Sequence, residues 1–177
     1  LIEQLHTRIL PRRGVWADPQ EILITVGTQH GLYMLAKLLL NQDSVMGIED
    51  PGYVDVRNIA SINPAQVKPL PVDDEGLIIS DAIKDCDCVY TTPSHQYPTT
   101  VTMPLDRRRK LLEMANEHDF VIIEDDYECE TNFKQAPSPA LKSLDQHGRV
   151  IYIGSFSKTL APGLRLGYLV ASKELIA

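Results

Sequence analysis

The sequence lacks the features that mark several large classes of protein. No apolar run approaches the ~18 residues that a membrane-spanning helix needs, and the stretch LIEQLHTRIL does not have the basic-then-apolar order of a signal peptide. Cysteines are few, and the spacing of Cys86, Cys88 and Cys129 does not supply the two ligand pairs of a zinc site. We therefore expect reduced thiols and a cytoplasmic location.

Positive charge is also scarce. The chain has 17 Lys and Arg against 24 Asp and Glu, a formal net charge of -7. Such a balance provides no basic surface for nucleic acid or for an anionic membrane, so any contact with DNA would have to come from a further domain. At 177 residues, with 44% hydrophobic and 23% charged residues, the chain has the composition of one globular domain with its own core.

Short apolar runs alternate with helical patterns along the chain. Seven runs predict buried strands, at residues 22–26, 45–48, 66–70, 88–91, 120–124, 150–154 and 166–170, and helical patterns lie at 31–40, 54–60, 80–84 and 105–118. This order predicts an α/β fold: a three-layer, mostly parallel seven-stranded sheet with helices on both faces. The last two strands are too close for a helical crossover, so we expect them to be antiparallel or apart in the sheet. Residues 132–149 resemble a linker, because Pro137 and Pro139 break regular structure.

Ligands of such sheets bind beyond the carboxyl ends of the strands, and polar residues follow several predicted strands there. After the first strand, Thr28 and Gln29 open a helix; backbone N–H groups at a helix start bind phosphate, although a threonine there is more often a simple N-cap. After the second strand, Tyr53 ends the turn EDPGY. It could stack on a flat ring, but packing is the commoner fate of a single tyrosine.

The later strand ends carry titratable groups. His95, in the loop TPSHQYP, could be a proton shuttle, although a lone loop histidine is more often merely solvated. Asp125 and Asp126 follow an apolar strand, where desolvating two carboxylates requires that at least one face a cation or a donor. Lys158 lies in the Ser/Gly/Pro-rich stretch GSFSKTLAPGLRLGY. A lysine in such a stretch is ordinarily a solvated charge on a loop.

These residue types together match the needs of pyridoxal 5'-phosphate. Its chemistry requires a lysine for the Schiff base and an acid that keeps the pyridine nitrogen protonated. Hydroxyl groups and a forked arginine such as Arg165 suit the phosphate. On this interpretation, Lys158 anchors the cofactor.

The stretch SFSKTLAPGLRLGY resembles the lysine signature of fold-type I pyridoxal-phosphate enzymes, the aspartate aminotransferase superfamily. Together with DPQEILITVGTQHGL, EDPGY, TPSHQYP and IIEDDYECE, which occur in the family's order, it is most similar to the aminotransferase-like domain of MocR-type regulators of the GntR family. The resemblance implies that Lys158 forms the Schiff base and that Asp125 binds the pyridine nitrogen. Asp126 stays an alternative, since the choice depends on motif alignment with modest support from strand alternation. The remaining roles it implies are Tyr127 on the ring's phenolic oxygen, Tyr53 on the ring face, and Thr28, Gln29, Ser155, Ser157 and Arg165 on the phosphate.

Two positions depart from the family's pattern. Tyr97 stands where many relatives have an asparagine, and Thr100 stands where a glycine is usual, so both could alter the loop. The resemblance also implies that residues 1–177 are the cofactor-binding large domain alone, without an N-terminal winged-helix DNA-binding domain and a small C-terminal domain. In the family the site lies at a dimer interface, so a homodimer is expected for the full-length protein.

Two functions of different class fit the same residues. In the first, the parent protein is a transcriptional regulator that senses an amine or amino acid through Schiff-base exchange and contacts DNA only through its N-terminal domain. In the second, it is a free-standing aminotransferase of the aminoadipate or kynurenine type, with Lys158 as the proton carrier. The subgroup resemblance favours the regulator. Whether the parent turns over substrate, and whether this chain alone binds cofactor, stay open at this point.

Overall fold

The computed structural model describes residues 1–63, 65–127, 138–156 and 162–177. In these ranges the chain forms one eight-stranded sheet with the strand order β1-β8-β7-β6-β5-β2-β3-β4. The strands are β1 (Ile22–Thr25), β2 (Val45–Asp50), β3 (Gln66–Asp73), β4 (Gly76–Leu77), β5 (Cys88–Thr91), β6 (Val121–Asp126), β7 (Val150–Ser155) and β8 (Gly167–Val170). Strands β3, β2, β5, β6 and β7 are parallel neighbours, whereas β8 pairs antiparallel with both β7 and β1.

Six α-helical segments accompany the sheet in the described part of the chain. They are α1 (Ile2–Gln4), α2 (Gly27–Leu39), α3 (Val54–Ser61), α4 (Leu105–His118), α5 (Leu141–Leu144) and α6 (Lys173–Ile176). Shorter helical turns occupy Leu5–Ile9, Leu10–Arg13, Pro19–Glu21, Asp81–Asp85 and Pro162–Leu164. No helix in the described ranges is long and apolar enough to cross a membrane.

The two faces of the sheet are covered by different helices. Ile123 of β6 belongs to a core cluster that includes residues of α2 and α3, whereas its neighbour Ile122 belongs to a cluster that includes residues of α4 and α5. Successive side chains of a strand point to opposite faces, so this division follows directly from the apolar run of β6. The helices thus form the outer layers of a three-layer α/β fold, as the sequence predicts.

Helix α4 illustrates how local sequence sets an element. Pro104 precedes its first turn, and Asp119 ends it in the left-handed conformation at φ 59°. Leu111 and Ala115, one turn apart, are fully buried, and a buried leucine contributes about 2 kcal/mol. Arg108 is also fully buried, and its guanidinium donates to three backbone carbonyl oxygens. Apolar contacts therefore pack the helix against the sheet, and the hydrogen bonds of Arg108 tie it to the neighbouring loops.

The structure matches the seven predicted strands and adds one. The extra strand, β4, has two residues and pairs antiparallel with β3, so it is too short to produce a periodic signal. Strands β7 and β8 are antiparallel neighbours, which confirms the expectation for closely spaced strands. Helix α2 begins at Gly27, four residues before the predicted start, and the predicted helix at 80–84 is a 3-10 helix.

The segment predicted to be a linker contains a helix in its described part. Helix α5 forms because the carboxylate of Glu124 accepts hydrogen bonds from the backbone N–H groups of Leu141 and Lys142 at 2.7 and 2.8 Å. Arg108 donates to the Pro139 carbonyl at 2.9 Å, and Arg13 donates to the Ser138 carbonyl at 2.8 Å. Buried charged side chains of other elements therefore hold the described part of this segment in place.

Candidate functional site

A pocket of about 260 Å³ lies where several strands end. Its lining residues are Thr28, Gln29, Tyr53, Tyr90, Thr92, Tyr97, Asp125, Tyr127, Ser155 and Arg165. Seven of these were predicted as site residues from the sequence, and they come from turns and strand ends that are far apart along the chain. The two remaining predicted residues, Ser157 and Lys158, lie outside the described residues. The volume is slightly below the ~300–1,000 Å³ of typical ligand pockets, which suits a single-ring ligand.

Asp125 is the buried acid of this pocket. It is 3% exposed, and its Oδ2 accepts a hydrogen bond from the Tyr90 hydroxyl at 2.7 Å. Its Oδ1 is buried without a hydrogen-bond partner, and no cationic side chain in the described ranges pairs with it. Burial raises the pKa of Asp125 to about 7, the Tyr90 hydrogen bond opposes this, and the charges of Asp126 and Glu49 add to it. Asp125 is therefore a costly buried carboxylate on a residue that lines the pocket, and one of its oxygens lacks a hydrogen bond in the described ranges.

Asp126 has a different environment. Its Oδ2 accepts from Arg13 Nε at 2.7 Å and from the Tyr152 hydroxyl at 2.6 Å, and it does not line the pocket. Its Oδ1 also lacks a hydrogen bond, but the ion pair with the 5% exposed Arg13 compensates the charge. Arg13 donates further to Ser94 at 2.8 Å. Asp126 therefore ties the N-terminal turns to the sheet.

The uncompensated acid predicts a pH dependence of stability. Because the pKa of Asp125 rises from 3.8 to about 7 on folding, its contribution to stability is fully present below pH ~4 and is lost as the pH rises through ~7. From pH 5 to pH 8, the free energy of unfolding of the cofactor-free protein should fall by about 2 kcal/mol more than that of Asp125→Asn. Urea denaturation at both pH values measures this. An equal fall in the free energy of unfolding of the two proteins would contradict this prediction. Glu124, whose pKa burial raises to about 7, is present in both proteins and so does not account for a difference between them.

A positively charged side chain lies at the start of α2, in contrast to the acid Asp125. Arg165 lines the pocket, and in the described ranges its guanidinium makes no hydrogen bond or ion pair. It lies against Gly27, where an added Cβ would come within 3.0 Å of its Nη2, and Gly27 has φ +76°. At Gly167, a Cβ would meet the Thr28 backbone nitrogen at 3.0 Å. Gly27 thus lets the Arg165 guanidinium lie against the first turn of α2, and Gly167 lets β8 approach the same turn. A guanidinium and the backbone N–H groups of a helix start are both groups that bind anions.

Tyr53 is held by two polar neighbours. The Gln29 side-chain nitrogen donates to the Tyr53 hydroxyl at 2.9 Å and to the Asp55 carboxylate at 2.5 Å, and the Tyr53 hydroxyl donates to Asp55 at 2.8 Å. Burial raises the pKa of Tyr53, and Asp55 raises it further. The ring lies edge-on to Tyr97, with 5.7 Å between the centroids. The side chain of Gln29 therefore orients a pocket aromatic, a contact that the sequence did not predict.

The loop after β5 is organised by Glu49, which is 1% exposed. Its carboxylate accepts from the Thr91 hydroxyl at 2.6 Å and from the Thr92 hydroxyl at 2.7 Å, and Gln96 Nε2 donates to it at 3.3 Å. Burial raises its pKa, and these bonds oppose the rise. Thr100 closes the loop at φ 65°, so the turn keeps the left-handed conformation that glycine favours.

His95 and Tyr127 lie together at the end of the loop. Their rings are edge-on, with 5.9 Å between the centroids, and Tyr127 lines the pocket. His95 is not among the pocket-lining residues. The structure thus places the predicted Tyr127 at the pocket and gives His95 a contact with its ring.

The pocket combines an acid, an arginine beside a helix start and aromatic side chains at the carboxyl edge of an α/β sheet. Comparison with known proteins identifies the family of the chain. The chain belongs to the aminotransferase class I and II family, whose model matches residues 2–177.

Among curated proteins, the chain is 48% identical over its full length to the HTH-type transcriptional regulator TauR of Rhodobacter capsulatus, of which it covers 37%. It is 38% identical over 92% of its length to the probable rhizopine catabolism regulatory protein MocR of Rhizobium meliloti, of which it covers 33%. The chain therefore spans about a third of the length of these relatives.

Solved structures give the same fold. The kynurenine aminotransferase of Pyrococcus horikoshii is 35% identical, with a TM-score of 0.88 over 99% of this chain and 45% of that one. The α-aminoadipate aminotransferase LysN of Thermus thermophilus is 34% identical, with a TM-score of 0.86 over 97% of this chain and 47% of that one.

Proposed function

We propose that the chain is the pyridoxal 5'-phosphate-binding, aminotransferase-like domain of a MocR/GntR-type transcriptional regulator that senses an amine or amino acid. The observation that carries the cofactor assignment is the buried Oδ1 of Asp125, which has no partner in the described ranges and lies on a residue that lines the pocket. A protonated ring nitrogen is a donor that would satisfy this oxygen and neutralise its charge.

The other residues of the pocket fit the remaining parts of the cofactor. Thr28, Ser155 and Arg165 line the pocket and supply hydroxyls and a cation for a phosphate, and the absence of side chains at Gly27 and Gly167 leaves space for the close approach. The proposed set is Lys158 for the aldehyde, Asp125 for the ring nitrogen, Tyr127 for the phenolic oxygen, Tyr53 for the ring face, and Thr28, Gln29, Ser155, Ser157 and Arg165 for the phosphate.

When bound, pyridoxal 5'-phosphate supplies an aldehyde that condenses with primary amines and a ring that accepts electrons. The residues of this chain would bind the cofactor and orient it for that chemistry. Asp125 Oδ1 would hold the proton at the ring nitrogen, and the Lys158 amine would carry a proton once an incoming amine has taken its place. Arg165 and the first turn of α2 would orient the phosphate, and Tyr53 would limit the ring to one plane.

The regulatory half of the proposal is supported by the relatives. TauR and MocR are named as regulators, and the chain covers about a third of each, so residues 1–177 would be one domain beside a DNA-binding domain and a small C-terminal domain. Binding of an amine would shift the population of two conformations of the whole protein, and DNA affinity would follow. Such a regulator would work as a homodimer in the cytoplasm.

A free-standing aminotransferase is the second candidate. The likeness to two aminotransferases at 34–35% identity over nearly the whole chain favours it. Both functions use the same pocket, so the pocket does not distinguish them.

The test uses the full-length protein that contains this chain. With added pyridoxal 5'-phosphate and a panel of amines and amino acids, we expect a change in visible absorbance with one ligand class. We also expect the protein to enrich specific genomic DNA fragments, and this enrichment should change when that ligand is added. Sustained formation of a keto acid without DNA enrichment would replace the regulator with the aminotransferase. If the protein does not change the absorbance of pyridoxal 5'-phosphate, alone or with any ligand, the cofactor assignment itself is overturned.

A further inference from the structure

Tyr90 contacts the proposed acid from the neighbouring strand. It lies on β5, is fully buried, and lines the pocket. Its hydroxyl donates to Asp125 Oδ2 at 2.7 Å. Burial first, and then the charge of Asp125, keep the pKa of Tyr90 well above 10, so the phenol remains a donor at every physiological pH.

Strand register explains the contact. Tyr90 pairs with Ile123 of β6, and Asp125 lies two residues further along that strand and thus on the same face. The phenol therefore reaches its diagonal neighbour across the sheet. The same device occurs one strand over and on the other face, where Tyr152 pairs with Glu124 and donates to Asp126, two residues further on.

The two carboxylates differ in what else surrounds them. Asp126 also has Arg13, whereas the titratable or charged groups that act on Asp125 in the described ranges are Tyr90, Asp126 and Glu49. The two carboxylates raise the pKa of Asp125, and the Tyr90 hydrogen bond is the contact that lowers it.

We propose that Tyr90 is a positioning residue for the cofactor's ring nitrogen: its hydroxyl fixes one oxygen of Asp125, so that the other oxygen is presented to the pocket as an anion. This inference depends on the proposed cofactor site. Tyr90 itself would touch no reacting atom and would act only through Asp125. Its role is therefore specific to a ligand that has a nitrogen at that position of the ring.

The test compares Tyr90→Phe with Tyr152→Phe in the full-length protein. Each change removes one phenolic oxygen that donates to one of two adjacent carboxylates. Affinity is measured by absorbance titration for pyridoxal 5'-phosphate and for its 1-deaza analogue, in which a carbon replaces the ring nitrogen. Both ligands keep the aldehyde and the phosphate, so only the contact with Asp125 differs.

We expect Tyr90→Phe to weaken binding of pyridoxal 5'-phosphate about tenfold and to leave binding of the deaza analogue unchanged. Tyr152→Phe should change neither affinity, and in an Asp125→Asn background Tyr90→Phe should have no further effect. Equal losses for both ligands would reduce Tyr90 to a packing residue, and no loss for either would remove it from the site. If the wild-type protein binds neither ligand, the proposed function fails and the inference fails with it.

Discussion

Replacing Lys158 with alanine is expected to abolish covalent attachment of pyridoxal 5'-phosphate to the protein. Only a primary amine condenses with the cofactor's aldehyde, and Lys158 lies in the chain between Ser155 and Arg165, both of which line the pocket. Adding cofactor, reducing with borohydride and determining the intact mass should give one adduct for the wild-type chain and none for Lys158→Ala. Before reduction, and after removal of free cofactor, the visible absorbance of the Schiff base should be present in the wild-type chain and missing from Lys158→Ala.

Two control variants distinguish the loss of the reactive amine from the loss of a positive charge. Lys158→Arg keeps the cation but cannot condense with the aldehyde, so it should also lack the adduct. Lys173→Ala removes a surface lysine that pairs with the exposed Asp18 at 2.5 Å, and it should retain the adduct in full. A stoichiometric adduct on Lys158→Ala would show that another lysine is the anchor.

The position of the pocket was predictable because it depends on topology rather than on detailed packing. Alternating strands and helices imply a parallel sheet, and the ends of parallel strands meet at one edge. Thr28, Tyr53 and Asp125 follow or end three such strands, and the structure brings all three to one pocket. The prediction needed only the order of the elements and the residue types at their ends.

The residues that the sequence did not reveal are those whose role depends on strand register. Tyr90 stands in the apolar run CVYT, where an aromatic residue is ordinary for a buried strand. Its contact with Asp125 follows only when β5 and β6 are aligned residue by residue, and that alignment is not encoded in either strand alone. Thr92 was visible as a loop residue, but not as a donor to Glu49.

The sequence also did not predict the contacts that Glu49 and helix α5 make in the loops. Glu49 belongs to the turn EDPGY, where attention falls on the tyrosine, yet its carboxylate holds the loop after β5. Helix α5 follows Pro137 and Pro139, which predict irregular structure, and it forms where the Glu124 carboxylate binds its first backbone N–H groups. Long-range hydrogen bonds of this kind leave no local pattern in the sequence.

Replacing each of the two adjacent carboxylates at the end of β6 should affect a different property. We expect Asp125 to matter for cofactor binding and Asp126 for stability. Asp125→Asn keeps the size of the side chain but removes the anion, so cofactor affinity should fall while the cofactor-free protein stays folded. Asp126→Asn removes the carboxylate that pairs with the buried guanidinium of Arg13, so the free energy of unfolding should fall by about 3 kcal/mol. Chemical denaturation and cofactor titration on the same samples measure both quantities.

The most direct measurement is the dissociation constant of pyridoxal 5'-phosphate for these two variants under conditions where both are folded. Loss of one partner of a buried charge pair costs about 2–5 kcal/mol, so Asp125→Asn should bind roughly thirtyfold more weakly or worse. Asp126→Asn should bind with nearly the wild-type affinity. Equal losses in the two variants, or a larger loss in Asp126→Asn, would contradict the assignment of Asp125 to the cofactor's ring nitrogen.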